Sequence, residues 1–531
     1  MRKLPIGIQS FEKLRNGGYV YVDKTMFIGN LLDAGATYFL SRPRRFGKSL
    51  FVTTLEAYFR GQQDLFDGLE MEKYESSKPL EDQWVKYPVM TFYFSGGSYG
   101  TSGDLEKILA FSLERFEKEY GIRHFEVQNI RADLPVWLIY CIEGAYKTTG
   151  KQIAFLVDEY DKPLLDNLSV NDSQEEENRK LLKDFFSVLK DEDKFLKFAF
   201  FTGVTKFNKV SIFSDLNQLK DITLVSEYSS ICGITEKELR SHFHAEIENL
   251  ATAQRVTIEE TRSRLAQVYD GYHFSEHSEG VYNPFSLLNA FSDKKFGRYW
   301  FESGTPTFLV RKLAQSGIQV QDFTDGVQVS EDRINNNRAD DEDVVPLFYQ
   351  NGYLTINDYD PLFQEYTLSY PNDEVKYGYL NSLIPLVDSK YAAKTGTFSA
   401  SRMVRNLRDR DVDSLMTMLQ ALLASIPYHE SKVPEDEQRW RNVVYAVFTV
   451  LGQYVRTEVH SAGGRSDCLI ENDQAIFIFE FKKDKTADEA LQQINDRNYA
   501  LPYISSGKTI VKIGANFSTK KKTLDEWRVE T

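Results

Sequence analysis

One stretch constrains this chain more than any other: a short apolar strand that passes through a basic loop into a helix. Tyr38-Phe39-Leu40 reads as the strand, and Ser41-Arg42-Pro43-Arg44-Arg45-Phe46-Gly47-Lys48-Ser49 as the loop. Lys48–Phe59 then carries helical apolar spacing at Leu50, Leu55, Tyr58 and Phe59. Such a turn offers free backbone N–H groups and the positive end of a helix dipole, which together bind phosphate. In a loop of this kind Lys48 reaches β- and γ-phosphates and the Ser49 hydroxyl holds Mg²⁺. Gly47 lets the backbone approach closely, and ATP with Mg²⁺ is the expected cofactor pair. The full pattern opens with glycine. Arg42 stands there instead, where glycine would adopt the backbone angles more easily. Arg44 and Arg45 are further candidates to touch phosphate. A surface turn whose cations only cap a helix is the competing reading of the loop alone.

A second strand weighs against that. Ile153–Val157 is an unbroken apolar run that ends in Asp158-Glu159. An Asp at that point sits beside the phosphate loop in such sheets and supports the Mg²⁺, and the next Glu polarises the attacking water. Lys197–Thr202 is a third run, and Thr202 at its end could read a γ-phosphate or be there for strand propensity alone. Pro88–Phe94 reads as another buried strand and Leu105–Tyr120 as a helix. Apolar runs without alternation suit strands covered on both faces, and strands alternating with helices imply a parallel α/β sheet.

The remaining chain divides by pattern. Glu236–Leu250 and Thr257–Val268 have amphipathic helical spacing, and 334–343 is a polar, acidic loop. Tyr353–Ile356 and Tyr366–Ser369 suggest a hairpin, and 375–426 is mostly helical. The expected boundaries are therefore 1–235, 236–427 and 428–531. The net charge of −14 lacks the basic footprint of a typical nucleic-acid binder, although a local groove can differ from the total. Cys141, Cys232 and Cys468 are far apart, which excludes a disulfide framework or a zinc site and suits a reducing compartment. The first residues lack the apolar core of a signal peptide, and no run approaches the ~20 apolar residues of a membrane helix. A cytoplasmic protein without a membrane partner is expected.

A second chemical constellation lies near the C-terminus. Asp467 precedes the apolar Cys468-Leu469-Ile470, and Ile476–Lys482 alternates so that Glu480 and Lys482 share a face while Phe479 and Phe481 take the other. Two acids on adjacent strands can hold Mg²⁺ for phosphodiester hydrolysis, and a nearby lysine can orient the nucleophile at the scissile phosphate. An edge strand with a solvated charged face is the alternative.

The loop Ser41–Leu50, together with Tyr21–Thr25, the Val157–Pro163 segment and Phe201–Asn217, resembles a large bacterial family of AAA-ATPase-like proteins. The resemblance continues through Tyr269–Phe274, Tyr282–Ser286 and Asn351–Leu354, and so spans nearly the whole chain. In that family arginine replaces the first glycine as a matter of pattern. The C-terminal part resembles the PD-(D/E)XK nuclease superfamily, with Ser466 where that family has proline. Glu437 is matched to the acid of the family's early helix, and Gln493 and Tyr499 are similar to a glutamine and tyrosine of related nucleases. The resemblance implies an α/β fold with an AAA-like P-loop sheet, a mainly helical middle region and a restriction-endonuclease-like α/β domain. It implies an ATP-binding and ATP-hydrolysing protein coupled to a Mg²⁺-dependent nuclease. Nucleic acid is then the expected partner, DNA rather than RNA, with Lys520-Lys521-Lys522 as one phosphate contact. Two other functions fit the same motifs: an ATP-driven switch, and a protein-remodelling ATPase whose nuclease fold binds without cutting. The oligomeric state and the source of an arginine finger are not legible.

Overall fold

The computed structural model describes residues 2–168, 170–206, 212–302, 322–336, 344–386, 400–424, 444, 447–448, 451, 456–459, 468–472 and 474–531. They fall into two compact units, Met1–Thr305 with Gly326–Glu374 and Pro306–Asp325 with Val375–Thr531.

The first unit is built on a parallel sheet of β1 (Thr37–Ser41), β2 (Val89–Tyr93), β3 (Ile153–Asp158), β4 (Leu196–Gly203) and β5 (Lys220–Asp221), in the order β2-β3-β4-β1-β5. Every residue of β1 and β3 is buried, as expected of strands covered on both faces. Period-2 alternation splits the side chains into two layers. Ile153, Phe155 and Val157 face a core shared with Trp137, Leu181, Phe185 and Phe186 from the helices Ile130–Thr149 and Asp172–Ser187. On the other layer Phe200 meets Phe51 and Phe198 meets Phe59, both from the helix Lys48–Phe59.

The expected strands and the Lys48–Phe59 helix are present with their ends shifted by a residue or two. Asp158 stands two strands from β1, because β4 lies between β1 and β3. One correction concerns 236–250, which is two helices, Glu236–His242 and His244–Gln254, joined at Phe243. Phe243 is buried and stacks on Phe291, so packing of the ring favours a break where periodicity alone would continue the helix. Capping boxes at Thr235/Glu238 and Thr257/Glu260 fix the starts of Glu236–His242 and Ile258–Tyr269. These helices, the pair β6 (Ile234–Thr235) and β7 (Val281–Tyr282), and Pro284–Asp293 enclose a second core around Leu239, Ile247, Leu265 and Leu287. The expected hairpin is β9 (Thr355–Asp360) and β10 (Glu365–Ser369), and β8 (Val327–Ser330) joins it on the far side of β10.

The second unit carries the mixed sheet β11 (Arg456–Val459), β12 (Cys468–Glu471), β13 (Ala475–Lys483), β14 (Thr509–Ser518) and β15 (Thr523–Glu530), in sequential order. Only β13 and β14 are parallel, and the crossover between them contains the helix Ala487–Asp496, started by a Thr486/Glu489 capping box. That helix lies directly on β14 at Gly514, where a Cβ would sit 2.4 Å from the Ala487 carbonyl oxygen and 2.6 Å from the Leu491 nitrogen. The region 375–424 is helical over Asp373–Leu386, Ala400–Asp409 and Val412–Ala424. The three cysteines are buried and none is in a disulfide. No helix among the described residues is long and apolar enough to cross a membrane.

Candidate nucleotide and nuclease sites

The loop after β1 is held from several directions. Ser41 Oγ donates to the Val204 carbonyl, which ties the loop to the end of β4. Arg42 is 1% exposed, and its guanidinium donates to the carbonyls of Ser41 (2.8 Å), Thr223 (2.8 Å) and Tyr228 (2.9 Å). Its planar face lies 4.1 Å from the centre of the Phe274 ring. Arg42 therefore does not substitute for a glycine in a strained turn. The left-handed residues of the loop are Arg45 (φ 68°) and Gly47 (φ 102°). Its burial lowers the guanidinium pKa, a cost met by three carbonyl acceptors and an aromatic face.

Segments distant in sequence clamp the same loop. Phe46 packs edge-on against Tyr272 at 4.7 Å and Phe274 at 5.5 Å. Trp300 Nε1 donates to the Arg44 carbonyl at 3.0 Å. Gly352 lies against Pro43, whose side chain a Cβ would meet at 2.7 Å. The Arg45 guanidinium sits 4.6 Å over the Phe285 ring, and the Arg44 side chain is exposed.

Lys48 is buried, and its Nζ donates to the carbonyls of Arg42 (2.7 Å) and Pro43 (3.0 Å). Burial lowers its pKa, while the Glu159 and Asp158 carboxylates oppose that shift. The acids reach this position across β4. Thr202 Oγ1 on β4 donates to Asp158 Oδ1 at 2.6 Å, so the threonine orients the acid. Glu159 has φ 58°, a left-handed turn rare outside glycine. Its amide donates to Thr202 Oγ1 and the Tyr160 amide to the Thr202 carbonyl. Burial raises the Glu159 pKa, and the Lys48 charge opposes the rise. A cavity of about 420 Å³ is lined by Gly47, Lys48, Ser49 and Glu159, with Arg44 and Arg45 also at its border. Another part of its wall is apolar: Val20, Ile234, Phe243 and Leu288 belong to one packed cluster, with Val22 against it. Lys24, also on the wall, is fixed by Glu238, whose oxygens lie at 2.6 and 2.8 Å. Asp161, absent from the expected residues, borders the cavity too. The signal for it was its place as a third acid, two residues after Glu159.

In the second unit, Glu480 is buried and Lys482 partly so on β13, while Phe479 and Phe481 stack on the opposite face near Phe448. Lys482 Nζ donates to Glu480 Oε1 at 2.9 Å and to Gln493 Oε1. Gln493 Nε2 donates to Glu480 Oε1, and the Tyr499 hydroxyl lies 3.4 Å from the same nitrogen. The glutamine thus joins the acid and the lysine, because the Ala487–Asp496 helix rests on β14 beside β13. Asp467 and Glu437 lie outside the described residues. Lys520, Lys521 and Lys522 form the exposed turn between β14 and β15, with Lys521 3.6 Å from Asp525.

These two sites coincide with two family matches. Residues 5–213 match the family described as "Predicted AAA-ATPase", and residues 435–527 match the PD-(D/E)XK nuclease superfamily. The whole chain is also similar to a protein of Azotobacter chroococcum mcd 1, described as an uncharacterized protein in the vnfD 5′ region. The two are 37% identical over 548 residues, covering 100% of this chain and 99% of that protein.

Proposed function

This chain belongs to the family of AAA-ATPase-like proteins that carry a C-terminal PD-(D/E)XK nuclease superfamily domain, and on that premise we propose that it binds and hydrolyses ATP with Mg²⁺ and cuts nucleic acid at its second site. The observation that carries the first half is the convergence of Lys48, Asp158 and Glu159 through the β1-β4-β3 order, with Thr202 as the bridge. The residues suit the ligand. The cavity falls within the ~300–1,000 Å³ range of small-molecule sites, and a Cβ on Gly47 would meet nothing within 4 Å. When bound, Mg²⁺ neutralises phosphate charge and steadies the transferred group.

Ser49 and Asp158 would supply oxygens for that cation. Lys48 would exchange the carbonyls of Arg42 and Pro43 for phosphate oxygens. Glu159, its carboxyl raised by burial against the opposing charge of Lys48, would take a proton from the attacking water. The apolar wall around Val20, Ile234 and Leu288 suits a flat nucleobase. Thr202 acts through Asp158, and Arg44 and Arg45 at the rim contribute positive charge to the phosphates.

For the second site, Glu480 with Asp467 would bind the metal, Lys482 would face the scissile phosphate, and Gln493 would hold both side chains. Glu437 is assigned as a further acid of this site from the family match alone. DNA is the preferred substrate class. The alternative reading, a nuclease fold that binds without cutting, draws support from Glu480 already being engaged by Lys482 and Gln493.

One experiment separates these. Wild type, Lys48→Ala, Glu159→Gln and Asp467→Ala are assayed for ATP binding, ATP turnover and Mg²⁺-dependent cleavage over a panel of DNA and RNA substrates. Lys48→Ala should lose ATP binding, and Glu159→Gln should bind ATP but turn it over ~10²–10⁴-fold more slowly. Asp467→Ala should lose cleavage alone. Normal ATP affinity in folded Lys48→Ala rejects the phosphate-loop assignment. Unchanged cleavage in Asp467→Ala, or none by wild type on any substrate, rejects the nuclease.

A further inference from the structure

Asp161 has no part in the scheme above, yet its surroundings are unusual for a structural acid. It is 1% exposed and borders the nucleotide cavity. Its Oδ2 accepts from the Val204 amide (3.0 Å), the Thr205 amide (2.7 Å) and the Thr205 hydroxyl (2.7 Å), which pins the loop after β3 to the loop after β4. Its Oδ1 is buried and has no hydrogen-bond partner among the described residues. Gly203 packs against this side of the acid, where a Cβ would lie 2.9 Å from Oδ1 and 2.4 Å from the Tyr160 ring. Gly203 has an ordinary backbone conformation, so the space and not the φ angle requires glycine there.

A carboxylate oxygen that is buried without a donor costs folding free energy, and such groups persist where a ligand completes them. The missing partner must be a donor. Nucleotide phosphates offer acceptors only and would repel a carboxylate. Lys48, whose charge acts on Asp161, is spent on the carbonyls of Arg42 and Pro43 here and on phosphate oxygens in the proposed nucleotide complex. A water polarised by a divalent cation remains, and Mg²⁺ characteristically keeps several of its waters when bound to a nucleotide.

We infer that Asp161 Oδ1 accepts a hydrogen bond from a water in the hydration shell of the nucleotide's divalent cation, and that Asp161 thereby makes the site prefer metal-bound over metal-free nucleotide. The inference rests on the ATP reading of this cavity. Metal-free ATP brings its full negative charge to the carboxylate with no donor between them. The metal complex supplies both the donor and the opposite charge. Asp161 is a positioning residue here, and it acts on binding before any chemistry.

The test is calorimetric titration of the full chain with ATP, once with excess Mg²⁺ and once with EDTA. Unfolding midpoints are measured alongside. Asp161→Asn keeps a carbonyl for the Val204 and Thr205 donors but presents an NH₂ where Oδ1 was, a donor in place of an acceptor. Wild type should bind ATP more tightly with Mg²⁺ than without. In Asp161→Asn that ratio should fall by about tenfold or more, with metal-free affinity equal or higher and the unfolding midpoint little changed. Asp161→Ala, which also releases the loop, should lower the midpoint, and this separates the loop role from the metal role. If the asparagine variant does not fold, Asp161→Ser, which retains an acceptor for the Thr205 amide, is read in its place. A folded variant that keeps the wild-type ratio overturns this inference and leaves the ATP reading standing. Wild type that binds no ATP in either condition overturns the ATP reading, and this inference with it.

Discussion

Arg42 shows how a residue can break a pattern and strengthen a fold. The position asks for glycine only if the backbone is left-handed there, and it is not. The guanidinium instead satisfies three carbonyls, one of them 186 residues away, through a fork geometry that lysine cannot copy. Arg42→Gly, although it restores the pattern's residue, should destabilise the protein by roughly 2–4 kcal/mol, seen as a fall in the urea midpoint. Asp270 is a second residue-scale case. Burial pushes its carboxyl up to about 6, with the Gly271 amide opposing and Glu236 adding to the rise. A raised carboxyl pKa means that the folded state holds the proton more firmly than the unfolded chain. The associated stability is fully present below the ordinary Asp value of ~3.9 and is lost as pH rises through about 6. Asp270→Asn should therefore match wild type near pH 4 and exceed its stability at pH 7.5, by up to ~2–3 kcal/mol. Equal urea midpoints at pH 7.5 would count against this.

Among the elements, the junction of the Ala487–Asp496 helix with β14 is the most demanding. No side chain fits at Gly514, so Gly514→Val should lift the helix, carry Gln493 away from Glu480 and abolish cleavage while ATP turnover continues. Comparable losses of both activities would mean that the effect is global. This element also marks where sequence reasoning stops. The strand at Ile476–Lys482 and the shared face of Glu480 and Lys482 were legible because period-2 alternation is local. Strand order is not local, so the place of β4 and Thr202 between β1 and Asp158 was not legible. Nor could periodicity reveal the break at Phe243, which depends on Phe291. The role of Arg42 was equally hidden, since its partners include the carbonyls of Thr223 and Tyr228. The phosphate loop was readable for the opposite reason: strand, turn and helix follow one another within some twenty residues.

For the whole molecule, the division into two units predicts that unfolding is not a single two-state event. Scanning calorimetry should resolve two transitions. A non-hydrolysable ATP analogue with Mg²⁺, at a hundred times its dissociation constant, should stabilise the unit containing Lys48 by about 2.7 kcal/mol and leave the other transition in place. One merged transition, or an equal shift of both, would argue for a single cooperative body. The clamp on the phosphate loop has an optical consequence as well. Trp300 is buried, its indole N–H is spent on the Arg44 carbonyl, and Tyr353 packs edge-on at 5.4 Å. Indole emission follows the hydrogen bond and polarity around the ring, so any displacement of the Arg44 carbonyl is written into the ultraviolet fluorescence of this one residue. Against the other four tryptophans, at 84, 137, 440 and 527, a Trp300→Phe difference spectrum isolates that signal, and the protein carries its own lamp beside the phosphate loop.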